Sequence, residues 1–192
     1  GTPATIAPAS AGISVFAIDY IVRPFGKVSI IIPTKDQASL LRTALDSIFN
    51  KTTYPDYEII VLNNNSNTTE FFALIEEYTS VHPDKFRCVD ANFPFNYPRL
   101  MNMGVSESSG DYILLLNNDV EVIDPGWLTK MVGYAQHTHV GAVGAKLLYP
   151  DGSIQHAGIV MGINGDAGHI FANAQRNATA ASAEIEDVPR PQ

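Results

Sequence analysis

The sequence is poor in cysteine and in basic residues. Its 192 residues include one cysteine, Cys88, which excludes an intramolecular disulfide and a zinc site built from several cysteines. Lysine and arginine number 12 against 20 aspartates and glutamates, and the formal net charge is -8. Because nucleic-acid binding needs a basic face, this charge balance argues against a nucleic-acid partner.

Long apolar runs are also missing. No uninterrupted apolar segment approaches the roughly 20 residues that cross a bilayer, so we expect no transmembrane segment in this chain. Residues 1–12 are small and contain prolines without a basic stretch, which is unlike a secretory signal. We therefore expect a cytoplasmic location, or one peripheral to the inner membrane for a longer parent protein.

What the chain does contain is a regular alternation of short apolar runs and helical spacing. Runs at 28–32, 57–62, 86–89 and 111–116 predict strands, and apolar residues three and four apart predict helices between them. Asp36 or Ser39 is the expected N-cap of the first helix. This alternation predicts an α/β fold whose central sheet is mostly parallel, with helices on both faces. A turn at Pro150-Asp151-Gly152-Ser153 predicts an added hairpin at one edge.

The composition on either side of this alternation suggests three parts. Residues 1–26 are interpreted as a lead-in or linker, and residues 27–171 as the α/β domain. Residues 172–192 are rich in alanine, asparagine and glutamate, and they are interpreted as a disordered or truncated tail.

Polar clusters follow three of the four predicted strands. Pro33-Thr34-Lys35-Asp36 follows the first, Asn63-Asn64-Asn65-Ser66 the second, and Asn117-Asn118-Asp119 the fourth. Each cluster alone is ordinary turn chemistry. Because ligands of open α/β sheets bind outside the carboxyl ends of the strands, three such clusters on one rim predict a binding site.

This candidate site has none of the familiar glycine-rich phosphate loops. G-x-G-x-x-G does not follow the first strand, and G-x-x-x-x-G-K-[ST] is absent. A diphosphate would therefore need another partner, such as a hard cation. Mg²⁺ and Mn²⁺ prefer oxygen ligands, and Mg²⁺ usually takes only one or two protein carboxylates. Asp119, at a strand end, is the candidate ligand.

Several stretches, in order along the chain, carry a family resemblance: Val28-Ser29-Ile30-Ile31-Ile32-Pro33-Thr34-Lys35-Asp36, Glu58-Ile59-Ile60-Val61, Phe95-Asn96-Tyr97, Leu114 to Glu121, Gly144 to Gly152, and Gln155-His156-Ala157-Gly158. Together they resemble family 2 glycosyltransferases of the GT-A fold, in particular the rhamnosyltransferase-like subgroup. The resemblance implies a Rossmann-like domain that binds a nucleotide-sugar donor with a divalent metal, Mn or Mg. It also implies transfer, usually with inversion, to a saccharide or lipid-linked saccharide acceptor in polysaccharide biosynthesis.

The resemblance also assigns site residues. Asp119 stands at the metal position of the family's D-x-D motif, and the implied nucleotide-binding residues are Pro33, Thr34, Lys35, Asp36, Asn63, Asn64, Arg99, Asn102, Asn117 and Asn118. Arg99 suits a diphosphate, because its planar fork pairs with such oxygens.

Two of these positions depart from the family pattern. Asn117 replaces the first carboxylate of D-x-D, and Asn63 replaces the aspartate that is common after the second strand. An asparagine amide accepts from the N3–H of uracil or thymine and donates to a neighbouring carbonyl. These properties favour a UDP- or dTDP-sugar.

In the family, the catalytic base is an acidic residue in a later segment. Asp151 lies in a predicted turn, and Glu184, Glu186 and Asp187 lie in the predicted tail. We therefore expect a truncated chain whose base lies beyond Gln192, and we expect the chain to be inactive alone.

Two rival functions are a nucleotidyltransferase and a non-catalytic binding domain. A nucleotidyltransferase would normally need a glycine-rich, basic loop after the first strand, and Pro33-Thr34-Lys35-Asp36-Gln37 is not one. A non-catalytic sugar-, nucleotide- or partner-binding domain is the alternative, because two carboxylates are replaced and no base is evident.

Some polar residues have interpretations that need no ligand. His137 and His139 are expected in solvent, and Glu121 is expected to be a surface charge. His156 and His169 are expected either to face the cleft or to make a structural hydrogen bond.

Overall fold

The computed structural model describes residues 3–8, 16–163 and 166–175. The chain divides into two compact units, Gly1–His139 and Val140–Gln192, each of which is described by itself. Within the described residues, no helix is long and apolar enough to cross a membrane.

The first unit holds most of the regular structure. Its strands are β1 (Ala4–Pro8), β2 (Phe16–Tyr20), β3 (Val28–Thr34), β4 (Tyr57–Asn63), β5 (Phe86–Asp90) and β6 (Tyr112–Leu115). Its helices are α1 (Ala38–Lys51), α2 (Thr69–Val81), α3 (Tyr97–Glu107) and α4 (Trp127–Ala135).

Four strands form the central sheet in the order β5-β4-β3-β6, and every neighbouring pair is parallel. The central strands β3 and β4 are covered on both faces, which requires the near-continuous apolar runs seen in the sequence. Ile30, Ile31 and Ile32 in β3 are fully buried. The predicted parallel sheet is confirmed.

Helices cover both faces of this sheet, as predicted. On one face, Ile30, Ile32 and Ile59 pack in a core that includes residues of α1, α2 and α4. On the other face, Ile31, Ile60 and Leu62 pack against Leu100 and Met101 of α3.

A glycine permits the close approach of α3 to the sheet. A Cβ at Gly104 would lie 2.4 Å from Cγ2 of Ile31, so any side chain there would force the two elements apart.

The hairpin of β1 and β2 lies within the segment interpreted as a lead-in, and sequence reasoning did not predict it. Pro8 ends β1, and a proline is compatible with an edge strand. The hairpin packs on α4, where the rings of Tyr20 and Tyr134 meet edge to face at 5.1 Å.

The second unit contains two hairpins. β7 (Leu147–Leu148) pairs with β8 (Ile154–His156), and β9 (Ile159–Ile163) pairs with β10 (Asp166–His169), both antiparallel. The hairpin predicted around Pro150 is therefore present. Among the described residues, however, β7 and β8 form a two-stranded sheet of their own and do not extend the central sheet. Most of the predicted tail, from residue 176 onward, lies outside the described residues.

Candidate functional site

The carboxyl ends of three adjacent strands place Thr34, Asn63 and Asp90 side by side. Thr34 pairs in register with Asn63, and Asn63 pairs with Asp90. The Asn63 amide donates to Oδ1 of Asp90 at 2.8 Å, and its oxygen accepts from the backbone N–H of Ser66 at 2.8 Å. Asn63 is thus buried and held at both ends of its amide.

Asp36 connects the loops that follow β3 and β4. Its backbone N–H donates to Oγ of Ser66 at 2.8 Å. Its carboxylate accepts from the backbone N–H groups of Asn67 at 2.7 Å and Thr68 at 3.2 Å, just before α2. The expected N-cap of α1 is therefore wrong. Gln37 occupies the cap position, and its side chain makes no capping hydrogen bond. Asp36 has a φ of 60°, and its carboxylate is directed to the neighbouring loop and not to α1.

The end of β6 joins the same group through Thr34. Nδ2 of Asn118 donates to Oγ1 of Thr34 at 2.8 Å, and the Thr34 carbonyl accepts from the N–H of Asn64 at 2.8 Å. Hydrogen bonds therefore link the polar clusters that follow β3, β4 and β6 at the carboxyl edge of the sheet.

The loop between β5 and α3 is fixed from the β4 side. Nδ2 of Asn64 donates to the carbonyls of Ala91 and Phe93, and Nδ2 of Asn65 also donates to Phe93, each at 2.8 Å. The Arg99 guanidinium lies 4.1 Å from the centre of the Phe93 ring. This cation–π contact orients an exposed charge near the N-terminus of α3, an environment that favours anions.

The remaining predicted residues are less constrained. Pro33 is half-buried at the end of β3, whereas Lys35, Asn102, Asn117 and Asp119 are exposed. Thr34, Asn63 and Asn118 are called the rim group below. Among the described residues, no side-chain hydrogen bond links the four exposed residues to this rim group.

The oxygen donors after β6 fit a hard divalent cation that completes its shell from elsewhere. Within the described part of the chain, no group of three or more His, Cys, Asp or Glu side chains gathers. Asp119 offers an exposed carboxylate, and Asn117 beside it offers an exposed amide oxygen. Glu121 instead bonds Nζ of Lys51 at 2.7 Å, as expected for a surface charge. One protein carboxylate is enough when phosphate oxygens and water supply the other ligands.

Two residues at this edge of the sheet, Asp90 and Phe93, were not predicted. Asp90 had a usable signal, because it directly follows the apolar run of the third predicted strand. Phe93 had none, since its carbonyl accepts from side chains of another loop.

The cysteine near this rim is not a nucleophile. Burial, with a contribution from Asp90, raises the pKa of the Cys88 thiol to about 12. The thiol is therefore neutral at ordinary pH.

The histidines have local roles. In the first unit, His137 packs its ring 4.5 Å from that of Tyr20, and its Nε2 is buried without a partner among the described residues. The prediction that His137 is solvated is therefore wrong, because the unpredicted hairpin covers it. In the second unit, Nδ1 of His156 and Nδ1 of His169 are 2.9 Å apart, which is the structural hydrogen bond of the two alternatives.

A parallel sheet with helices on both faces and polar side chains at its carboxyl edge defines an α/β domain of the ligand-binding type. The sequence profile of glycosyl transferase family 2 matches residues 29–172. The chain belongs to this family.

Two curated relatives agree with this assignment. The chain is 47% identical over 156 residues to the O-antigen biosynthesis protein RfbC of Myxococcus xanthus, covering 81% of the chain and 12% of that protein. It is 48% identical over 145 residues to the uncharacterized protein y4gI of Sinorhizobium fredii (strain NBRC 101917 / NGR234), covering 74% of the chain and 16% of that protein. The chain thus spans a small part of these relatives.

Solved structures show the same fold. The mannosyltransferase PcManGT from Pyrobaculum calidifontis, in complex with GDP-Man and Mn²⁺, aligns with a TM-score of 0.60 at 22% identity, over 67% of this chain and 37% of that one. S. aureus TarS 1-349 aligns with a TM-score of 0.50 at 18% identity, over 63% and 38%. The fold is therefore that of GT-A glycosyltransferases.

Proposed function

We propose that residues 27–171 form the donor-binding portion of a glycosyltransferase that transfers a sugar from a nucleoside diphosphate to a saccharide acceptor. The observation that carries this proposal is the hydrogen-bonded rim group of Thr34, Asn63 and Asn118 at the carboxyl edge. Strand ends of this kind hold ligands in open α/β sheets. The match to the family over residues 29–172 supports the same extent.

The nucleoside is proposed to be uridine or thymidine. Asn63 uses one lone pair of its oxygen for Ser66 and one N–H for Asp90, so one acceptor and one donor position remain. Those two groups match the N3–H and a carbonyl of uracil or thymine. Pro33, Thr34 and Asn64 lie beside Asn63 at the strand ends and are the proposed walls of this part of the site.

The diphosphate is proposed to lie near Arg99, Lys35 and Asn102. The guanidinium of Arg99 already packs on the Phe93 ring, so its side chain loses less conformational entropy when the donor binds. Asp119, assisted by Asn117, would hold Mn²⁺ or Mg²⁺, which in such sites neutralises charge on the leaving diphosphate. The chain's own contribution is to bind and orient the donor so that the anomeric carbon faces the acceptor.

The chemistry is proposed to be a direct displacement with inversion, in which a base takes the proton of the acceptor hydroxyl. We propose that this base lies outside residues 1–192. Asp151 is exposed and bonds the N–H and hydroxyl of Ser153 in its own turn, which lowers its pKa. Glu184, Glu186 and Asp187 lie outside the described residues. The much greater length of the curated relatives supports a base on a further segment.

The acceptor is proposed to be a saccharide or a lipid-linked saccharide in polysaccharide biosynthesis. The relative named as an O-antigen biosynthesis protein supports this class. A cytoplasmic location, peripheral to the inner membrane in a longer parent, stays a prediction.

Calorimetry with UDP, dTDP and GDP, each with and without Mn²⁺, tests the proposal. We expect UDP or dTDP to bind more tightly with Mn²⁺, and Asp119→Ala to remove that gain. Asp84→Ala is the matched control, because Asp84 is an exposed aspartate before β5 at the opposite edge of the sheet. If the Asp119 variant and the control respond to Mn²⁺ equally, the metal role is refuted.

A non-catalytic nucleotide- or sugar-binding domain is the second candidate, favoured by the two asparagines in place of carboxylates. Donor hydrolysis by a longer protein that includes this chain separates the two functions. A turnover at the level of buffer alone, despite tight donor binding, would favour the binding domain.

A further inference from the structure

Glu58 is a buried carboxylate at the amino edge of the sheet, opposite the rim group. Its side chain is 6% exposed, and it lies one residue into β4. Asn63 is five residues further along this strand, so Glu58 lies about 17 Å from the proposed site at about 3.3 Å per residue. Glu58 therefore cannot touch a ligand bound at the carboxyl edge.

Three segments distant in sequence converge on this carboxylate. Oε1 accepts from Oγ of Ser29 at 2.7 Å and from the N–H and Oγ of Ser109 at 2.9 and 2.8 Å. Oε2 bonds Nη1 of Arg87 at 2.5 Å, and Nζ of Lys27 lies 3.6 Å from Oε1. Burial alone would raise the pKa of Glu58, but the hydrogen bonds from Ser29, Ser109 and Arg87 outweigh it and lower the pKa to about 2. The group is therefore an anion at any ordinary pH.

These contacts fix the connection between α3 and β6. Ser109 follows the end of α3, and Arg87 also donates to the carbonyl of Glu107, the last residue of that helix. Gly110 donates its N–H to Oγ of Ser29 at 2.9 Å. A Cβ at Gly110 would lie 2.7 Å from the backbone nitrogen of Ser29, so the connection lies directly against β3.

β6 has little other support on one of its faces. It has four residues, and in the described chain it pairs with β3 alone, at one edge of the sheet. On the side that faces the same way as Ile31, Ile113 is 41% and Leu115 is 46% exposed, so packing contributes little to its position there. Its far end leads directly to Asn118 and Asp119.

We propose that Glu58 is a positioning residue that fixes the start of β6 and the end of α3, and thereby places Asp119 and Arg99 at the carboxyl edge. The roles of Asp119 in metal binding and of Arg99 in diphosphate binding rest on the proposed function. The attachment itself rests on the contacts of Glu58. A shift of β6 by one residue would move Asp119 by about 3.3 Å and reverse the face of each side chain.

The test compares Glu58→Gln and Ser109→Ala with wild type by hydrogen exchange and by calorimetry. Glutamine keeps the shape of Glu58 but presents an amide where Arg87 requires an anion. Ser109→Ala removes a single hydroxyl, so the same measurements can be made on it if Glu58→Gln does not fold. Glu77→Gln is the control, because it breaks a bidentate ion pair with Arg42 on the helix surface.

We expect amides 112–116 to exchange faster in both variants, while amides 59–62 of β4 change less. The Mn²⁺-dependent gain in UDP affinity should be largely lost in Glu58→Gln, as in Asp119→Ala, because Asp119 would no longer be held where the cation binds. The control should behave as wild type in both measurements.

Two results would overturn the proposal. The first is that the variants fold and the hydrogen-exchange rates of the β6 amides are unchanged. The other is an equal acceleration in β4 and β6, which would show a uniform loss of stability. If wild type binds none of the nucleotides, the proposed function fails, and the exchange of β6 still decides whether Glu58 fixes the strand.

Discussion

Replacement of Glu58 by glutamine should change how the stability of the protein depends on pH. The carboxyl has a folded-state pKa of about 2 against an ordinary value of 4.5, because its bonds to Ser29, Ser109 and Arg87 outweigh its burial. A depressed folded-state pKa contributes stability that is fully present above the unfolded value and is lost as pH falls towards the folded value. The window therefore runs from about pH 4.5 down to about pH 2.

The size of the effect follows from these two pKa values. At pH 3 the unfolded carboxyl is almost fully protonated and the folded one is almost fully ionised. The linkage relation then gives a loss of about 2 kcal/mol in the free energy of unfolding between pH 7 and pH 3 from this group alone. Glu58→Gln cannot titrate at this position, so it should be less stable at pH 7, and its deficit relative to wild type should shrink by about 2 kcal/mol at pH 3.

Urea unfolding at pH 7, 5, 4 and 3, followed by tryptophan fluorescence and circular dichroism, measures this difference. Other carboxylates titrate in both proteins, so their contributions cancel when the two curves are subtracted. Glu76→Gln removes an exposed carboxylate of α2 and serves as the control. A stability gap between Glu58→Gln and wild type that is the same at every pH would show that the Glu58 pKa is not depressed.

Three further predictions address packing, loop structure and catalysis. Gly104→Ala should destabilise the protein by about 1–3 kcal/mol in urea unfolding, because its Cβ would lie 2.4 Å from Ile31; an unchanged midpoint would contradict the close approach of α3. Asp36→Ala should lower the free energy of unfolding in urea by about 0.5–2 kcal/mol, since two backbone N–H groups before α2 lose their acceptor. Asp36→Asn should recover part of this loss. The chain alone should transfer no sugar in an assay with labelled donor and saccharide acceptors, because general-base assistance contributes about 10²–10⁴-fold; turnover equal to that of a longer protein would place the base within residues 1–192.

The sheet could be predicted because β3 and β4 are buried on both faces. Central strands of this kind need apolar residues at successive positions, and this pattern is visible without knowledge of the partners. The rim followed from the same reasoning, since parallel strands end at one edge and Thr34, Asn63 and Asn118 come after their apolar runs. These elements depend on local sequence and on one topological rule.

Features that depend on contacts between distant loops could not be predicted. The carboxylate of Asp36 bonds N–H groups some 30 positions away, so the local helix-capping pattern gave the wrong partner. The hairpin of β1 and β2 was missed because prolines and small residues hide its alternation, and His137 was misplaced as a result. Glu58 reads locally as the polar start of a strand, and its five contacts come from segments on both sides of it in the chain.

The bond between Asn63 and Asp90 favours an asparagine over an aspartate at position 63. An aspartate at position 63 would bring two carboxylates to the 2.8 Å separation that the amide and the Asp90 carboxylate now share. Two carboxylates in such contact repel each other unless they share a proton, so one negative charge would be lost or the loop displaced. Asparagine avoids this repulsion, because its amide donates a hydrogen bond to the Asp90 carboxylate. The residue types at the ends of β4 and β5 are therefore coupled, and exchanging the pair, Asn63→Asp together with Asp90→Asn, should be tolerated better than Asn63→Asp alone.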